Sequence, residues 1–98
     1  MHVLFTMFNL GPGAQEMGDK LGENFSSTLK GQKGFKRLTM FRNDETGECG
    51  GLSIWQSKED AEAALAATGS KLKEALTGVV KGEPKRGVYE VWRIVEGD

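Results

Sequence analysis

In Leu52-Ser53-Ile54-Trp55-Gln56 the apolar positions alternate, the spacing of a strand, and beyond Ser57 they fall at Ala61, Ala64, Leu65 and Thr68, the spacing of one helix face. The change of period lies at Ser57. Its hydroxyl suits a free N–H of a first helical turn, and Asp60 puts negative charge at the positive end of the helix. A strand ending at Trp55-Gln56 therefore runs almost without a loop into a capped helix. Gly69-Ser70 then divides that helix, glycine closing 58–68 and serine capping a short 71–77.

The rest of the chain follows the same logic. Residues 2–10 are apolar at nearly every position and rich in β-formers, which predicts a strand covered on both faces. Gly11-Pro12-Gly13 ends it, and Pro12 introduces a helix over 14–30 whose Met17, Leu21, Phe25 and Leu29 form one apolar stripe. Ala14, Gly18 and Gly22 make a second row four residues apart. Each glycine costs about 1 kcal/mol of helix propensity relative to alanine, so the row is read as one that lets the helix lie close against a sheet. Phe35 to Arg42 is a strand with Phe35, Arg37, Thr39 and Phe41 on one side and Lys36, Leu38, Met40 and Arg42 on the other. Asn43-Asp44-Glu45-Thr46-Gly47 turns it into a hairpin with the strand ending at Trp55. Gly78 to Gly87, with Lys81, Lys85 and Arg86, reads as a solvated loop, and Val88 to Val95 as the last strand.

The order β-α-β-β-α-β is the ferredoxin-like plan of an α+β domain, here one domain over 1–98: a four-stranded antiparallel sheet with helices on one face. That plan leaves a bare face, yet the first strand is apolar on both sides, and the last sets Tyr89 and Val91 opposite Val88, Trp92 and Ile94. Two greasy surfaces need two covers. A second copy of the chain, meeting the first through the open sheet faces about a two-fold axis, supplies the second cover, and a homodimer is expected.

Charge and composition narrow the chemistry. Thirteen basic against fourteen acidic residues give a net charge of −1, which offers no footprint for a nucleic acid or an anionic membrane. No apolar run approaches the ~20 residues of a membrane span. The single cysteine, Cys49, and the missing leader point to a reducing, cytoplasmic setting, with Cys49 a passive thiol. One His and one Cys give no metal spacing, and Ser53 and Ser57 have no nearby base to make either a nucleophile.

Trp55-x-Ser57-x-Glu59-x-Ala61, with Gly34-Phe35 opening the second strand and Val88-Tyr89-Glu90-Val91-Trp92 near the end, resembles the antibiotic biosynthesis monooxygenase family of dimeric α+β barrels. The resemblance covers the whole chain. It implies a small hydrophobic or aromatic ligand inside the barrel and, if the chain is catalytic, a monooxygenase without a cofactor acting on a quinol or similar aromatic. Such chemistry asks little of the protein, because the deprotonated aromatic supplies the electrons. A non-catalytic, regulatory dimer that binds a small hydrophobe needs the same barrel. The heme-degrading branch is set aside: its histidine, asparagine and second tryptophan fall near Leu76, Thr6 and Ala64 here. An RNA-recognition module shares the strand order, but after Lys33-Gly34-Phe35 its pattern fails at Arg37 and Thr39.

With Leu38, Met40, Leu52 and Ile54 set toward the helices, Arg37, Thr39, Phe41, Ser53 and Trp55 face the barrel, with Leu4, Thr6 and Phe8. This face joins aromatics to a few polar groups, as a small-molecule pocket does. Arg37 is the candidate to stabilise an anionic substrate, Tyr89 to donate or accept a proton, and Trp55 to stack on the substrate. Each has a plain structural reading as well: a dimer salt bridge for Arg37, ordinary core for Trp55, a hydroxyl satisfied by backbone for Tyr89.

Overall fold

The computed structural model of the chain describes residues 1–97. Its elements are β1 (His2–Asn9), α1 (Gln15–Lys30), β2 (Phe35–Asn43), β3 (Glu48–Trp55), α2 (Lys58–Leu76) and β4 (Lys85–Glu90). The strands form one antiparallel sheet in the order β2-β3-β1-β4, as the ferredoxin-like plan requires. Both helices lie on one face. Leu4 and Trp55 of the sheet are buried there with Leu29 of α1 and Ala61 and Ala64 of α2.

The β3–α2 junction is built as the pattern predicts. Ser57 is extended, with φ −142° and ψ 167°, and its Oγ accepts the N–H of Asp60 at 3.2 Å. The hairpin turn is held by Asn43, whose Oδ1 accepts the N–H of Glu45 at 3.0 Å. Gly47 closes it with a φ of 84°, and a side chain there would also overlap the backbone of Gly11.

Four expectations are corrected. The helix does not break at Gly69-Ser70; α2 runs unbroken to Leu76. Ala61, Ala64, Thr68, Leu72 and Leu76 keep one buried row across the glycine, and burying two leucines, about 1.5–3 kcal/mol each, outweighs the ~1 kcal/mol that glycine costs. The last strand begins at Lys85 rather than Val88 and ends at Glu90. Its final ladder bond runs from the N–H of Val91 to the carbonyl of Met1 at 3.0 Å, and past it no strand lies alongside among the described residues. Trp92, Ile94 and Val95 are left 82%, 60% and 81% exposed.

The face assignment of three strands also changes. In antiparallel pairs, directly opposite residues share a face. Leu38 stands opposite Ser53, and Leu4 opposite both Ser53 and Val88, so Leu4, Thr6, Phe8, Ser53 and Trp55 point under the helices and not to the open side. Arg37, Thr39 and Phe41 keep the open side, with Leu52 and Ile54. A bulge between Phe35 and Arg37 explains the misreading: it sets Phe35 with Trp55, edge-on at 5.5 Å, while Arg37 falls opposite Ile54. Finally, the glycine row of α1 is not needed for close approach. A methyl at Gly22 would sit 3.5 Å from Met40 Cε, and one at Gly18 3.9 Å from Cys49 Sγ, both ordinary contacts.

The open side carries Phe5, stacked on Phe41 at 6.5 Å, with Leu52 opposite Phe5 and Tyr89 57% exposed. The accessible surface totals 6707 Å². For a folded monomer of 10.7 kDa the scaling with mass gives about 5500 Å².

Candidate functional site

The glycine row that leaves α1 unpinned also leaves space beneath it. A cavity of about 490 Å³ lies between α1 and the sheet, walled by Thr6, Phe8, Leu21, Phe25, Met40 and Leu72. Gly18 and Gly22 line its roof and Gly51 its floor, so the backbone itself forms much of the wall. Of the sixteen residues in α1 only Leu29 is fully buried, whereas α2 has five. At the mouth, Arg42 of β2 reaches Asp19 of α1 at 2.6 Å and Asp44 at 3.2 Å. Both carboxylates, and the hydrogen bond to Asp19 first of all, raise the pKa of Arg42. A second cavity of about 550 Å³ runs between α1 and α2, sharing Leu21, Phe25 and Leu72 with the first and adding Asn24, Thr68 and Lys71.

Beside both lies a cation that the pattern of charges concealed. Arg86, in β4 opposite Thr6, is half-buried under the helices. Its Nε donates to Thr6 Oγ1 at 3.1 Å, Nη1 to the Leu65 carbonyl at 3.3 Å and Nη2 to Thr68 Oγ1 at 2.7 Å. All three acceptors are neutral, and no carboxylate bridges it among the described residues. Burial alone lowers its pKa, a sign of an uncompensated charge. Among the described residues three of the five guanidinium N–H groups are thus engaged and two remain. Thr6 Oγ1, 1% exposed on the cavity wall, accepts from Arg86 and makes no other bond among the described residues. Its own proton is free to be donated.

Of the residues singled out from the sequence, Thr6 and Phe8 border this cavity, and Phe41 of the edge strand reaches its rim while its ring stacks on Phe5 on the open side. Ser53 and Trp55 lie under the helices but outside it. Trp55 is fully buried, its Nε1 donates to Ser53 Oγ at 2.8 Å, and that hydroxyl donates to the Leu4 carbonyl at 3.3 Å, so the pair is satisfied within the core. Arg37, Thr39 and Tyr89 are exposed on the open side and line none of the cavities. Cys49 borders the cavity, and burial pushes its thiol above the ordinary range. No group of three His, Cys, Asp or Glu suited to a metal occurs among the described residues. The signal that would have revealed Arg86 is alternation: it stands two places before Val88, on the same face, once the strand is extended back through Gly87.

The chain shares this architecture with solved oxygenases along nearly its whole length. A point mutant of SnoaB, a cofactor-independent oxygenase from Streptomyces nogalater, matches with a TM-score of 0.76 over 98% of this chain and 97% of its own, at 17% identity. The monooxygenase from the gene ActVA-Orf6 of Streptomyces coelicolor, in complex with Nanaomycin D, gives 0.72 over 98% of this chain and 92% of its own, at 19% identity. An antibiotic biosynthesis monooxygenase gives 0.75 over 95% and 100%, at 9% identity. The fold is that of the antibiotic biosynthesis monooxygenases, and at these identities the likeness is one of fold. No family model matches the sequence, and no curated protein does. Among the described residues no helix is long and apolar enough to cross a membrane.

Proposed function

We propose that the chain is a cofactor-independent monooxygenase for a small aromatic or quinol-type molecule held between α1 and the sheet, acting as a cytoplasmic homodimer closed over its open sheet faces. The observation that carries this reading is Arg86, a half-buried cation with no counter-ion among the described residues, beside a cavity walled largely by apolar side chains. The role expected of Arg37 passes to it, since Arg37 lies on the other side of the sheet. A phenol entering the cavity meets the Thr6 hydroxyl, polarised by Arg86, and is held there as the phenolate. For an anthrone-type substrate, the ring methylene gives a proton to a water at the open mouth, and the carbanion left reduces dioxygen to a peroxide. That proton returns to the peroxide, so that both methylene hydrogens end in the water released. One oxygen atom becomes the carbonyl and the other leaves as water, so all four electrons come from the substrate. The protein's part is to favour the anion and exclude water.

The dimer is supported by the apolar residues left on the open sheet face, where Phe41 stacks on Phe5 while 40% exposed, beside Leu52 and Tyr89.

A second reading, a non-catalytic binder of small hydrophobes, is favoured by the lack of a poised base among the described residues of the cavity wall. The titratable groups on the cavity wall are Asp19, bound to Arg42, Glu23, Arg42 itself and the protonated Cys49. Oxygen uptake by metal-free protein, measured with a panel of hydroquinones and anthrones, separates the two. Uptake with carbonyl product supports the oxygenase, and binding without uptake supports the carrier.

A further inference from the structure

Phe25 occupies a position that the proposed reaction does not use. Its ring belongs to the wall of both cavities, and its centroid lies 6.0 Å from the guanidinium carbon of Arg86. It reaches across to the sheet: a methyl on Gly51 would sit 3.8 Å from Phe25 Cε1. Leu21 and Leu72 share the partition, but Leu72 is anchored in the second core cluster at 7% exposure. Phe25 is only half-buried, on a helix that a single fully buried residue, one turn further on, pins down.

We propose that Phe25 is the gate of this site and the residue that sets which aromatics it admits. With the ring placed over Arg86, the space above the sheet ends at Phe25. With the ring swung aside, the two cavities join through the space it vacates, and the guanidinium face that it covers opens to both. A cation over a neutral ring is a weak contact, and an anionic oxygen on the same guanidinium displaces it. The ligand that opens the gate is therefore one carrying an anionic oxygen on an apolar body. Its charged end takes the place of the phenyl ring on Arg86, and its apolar body lies over the glycine-lined floor. This deepens the proposed function and rests on its placement of the ligand.

The test uses two probes of similar size, 1-anilinonaphthalene-8-sulfonate and the uncharged N-phenyl-1-naphthylamine. Association is followed by stopped-flow fluorescence, and occupancy of this cavity is read from protection of Cys49, which lines it, against iodoacetamide. Phe25→Leu is expected to speed association of the sulfonate at least threefold and to alter the neutral probe less. Phe25→Trp is expected to slow the sulfonate at least fivefold. If both variants take up the sulfonate at the wild-type rate while Cys49 is protected in all three proteins, the gate is refuted and the binding site stands. If neither probe protects Cys49 in the wild-type protein, the binding site fails and the gate with it.

Discussion

Replacing Gly18 and Gly22 by alanine separates what holds α1 together from what it encloses. Each substitution recovers about 1 kcal/mol of helix propensity, part of it by restricting the unfolded chain. Neither added methyl collides with anything: at Gly22 it would sit 3.5 Å and 3.6 Å from the Met40 thioether, and at Gly18 3.9 Å from Cys49 Sγ and Leu10 Cδ1. The double variant should therefore gain about 2 kcal/mol, which for a chain of this length raises Tm by roughly 8–16 °C. The same two methyls enter a space of about 490 Å³ and each removes roughly the volume of one water molecule, about 30 Å³. Binding of a flat aromatic should weaken as stability rises. Thermal denaturation and calorimetric titration of G18A, G22A and the pair, side by side, read both quantities. Loss of stability would mean that α1 lies closer to the sheet than these distances allow. Gained stability with unchanged affinity would remove the cavity as the binding place.

Three further outcomes are expected. Arg86→Met should weaken binding of an anionic aromatic at least tenfold and of its uncharged analogue far less, while Arg37→Met leaves both unchanged; equal losses for the two probes in R86M would deny the cation its role. Leu52→Lys, which sets a charge opposite Phe5 on the open face, should lower the mass seen by light scattering from about twice 10.7 kDa to that of one chain; a wild-type protein already monomeric at micromolar concentration defeats the dimer. Burial holds the Cys49 thiol above its ordinary pKa of 9.0, so as pH rises the unfolded chain ionises first. The contribution of Cys49 is complete below pH 9.0 and declines between that value and the higher folded one. Denaturant midpoints at pH 8 and pH 10 should fall further for the wild type than for C49A, and an identical fall in both would contradict the assigned shift.

Much of the architecture is legible in the chain because local signals agree with the global plan. Ser57 and Asp60 mark a cap that forms as drawn, and Asn43 to Gly47 mark a turn whose side-chain bonds are those expected of it. What escaped depends on contacts between distant residues. The bulge after Phe35 breaks the alternation of β2 and, with the register against β3, decides which side Ser53 and Trp55 take. Nothing local to those residues announces it. Gly69 looks like a helix end, yet Leu72 and Leu76 find a buried place beyond it, and packing overrides propensity. Arg86 is hidden among Lys81, Lys85 and Glu83, in a run of charges that reads as surface. Only the pairing of Arg86 with Thr6 shows that it points inward.

Among the described residues Arg86 is met by hydroxyl and carbonyl oxygens instead of a carboxylate, and a guanidinium keeps its proton at any pH where proteins fold. The host therefore presents a constant electrode. Below the pH at which Cys49 ionises, the change of occupancy that Arg86 brings about follows the titration of the guest, and a phenol too weakly acidic to ionise in water can become an anion on entry. Selectivity among otherwise similar ring systems then follows the ease with which each gives up its proton.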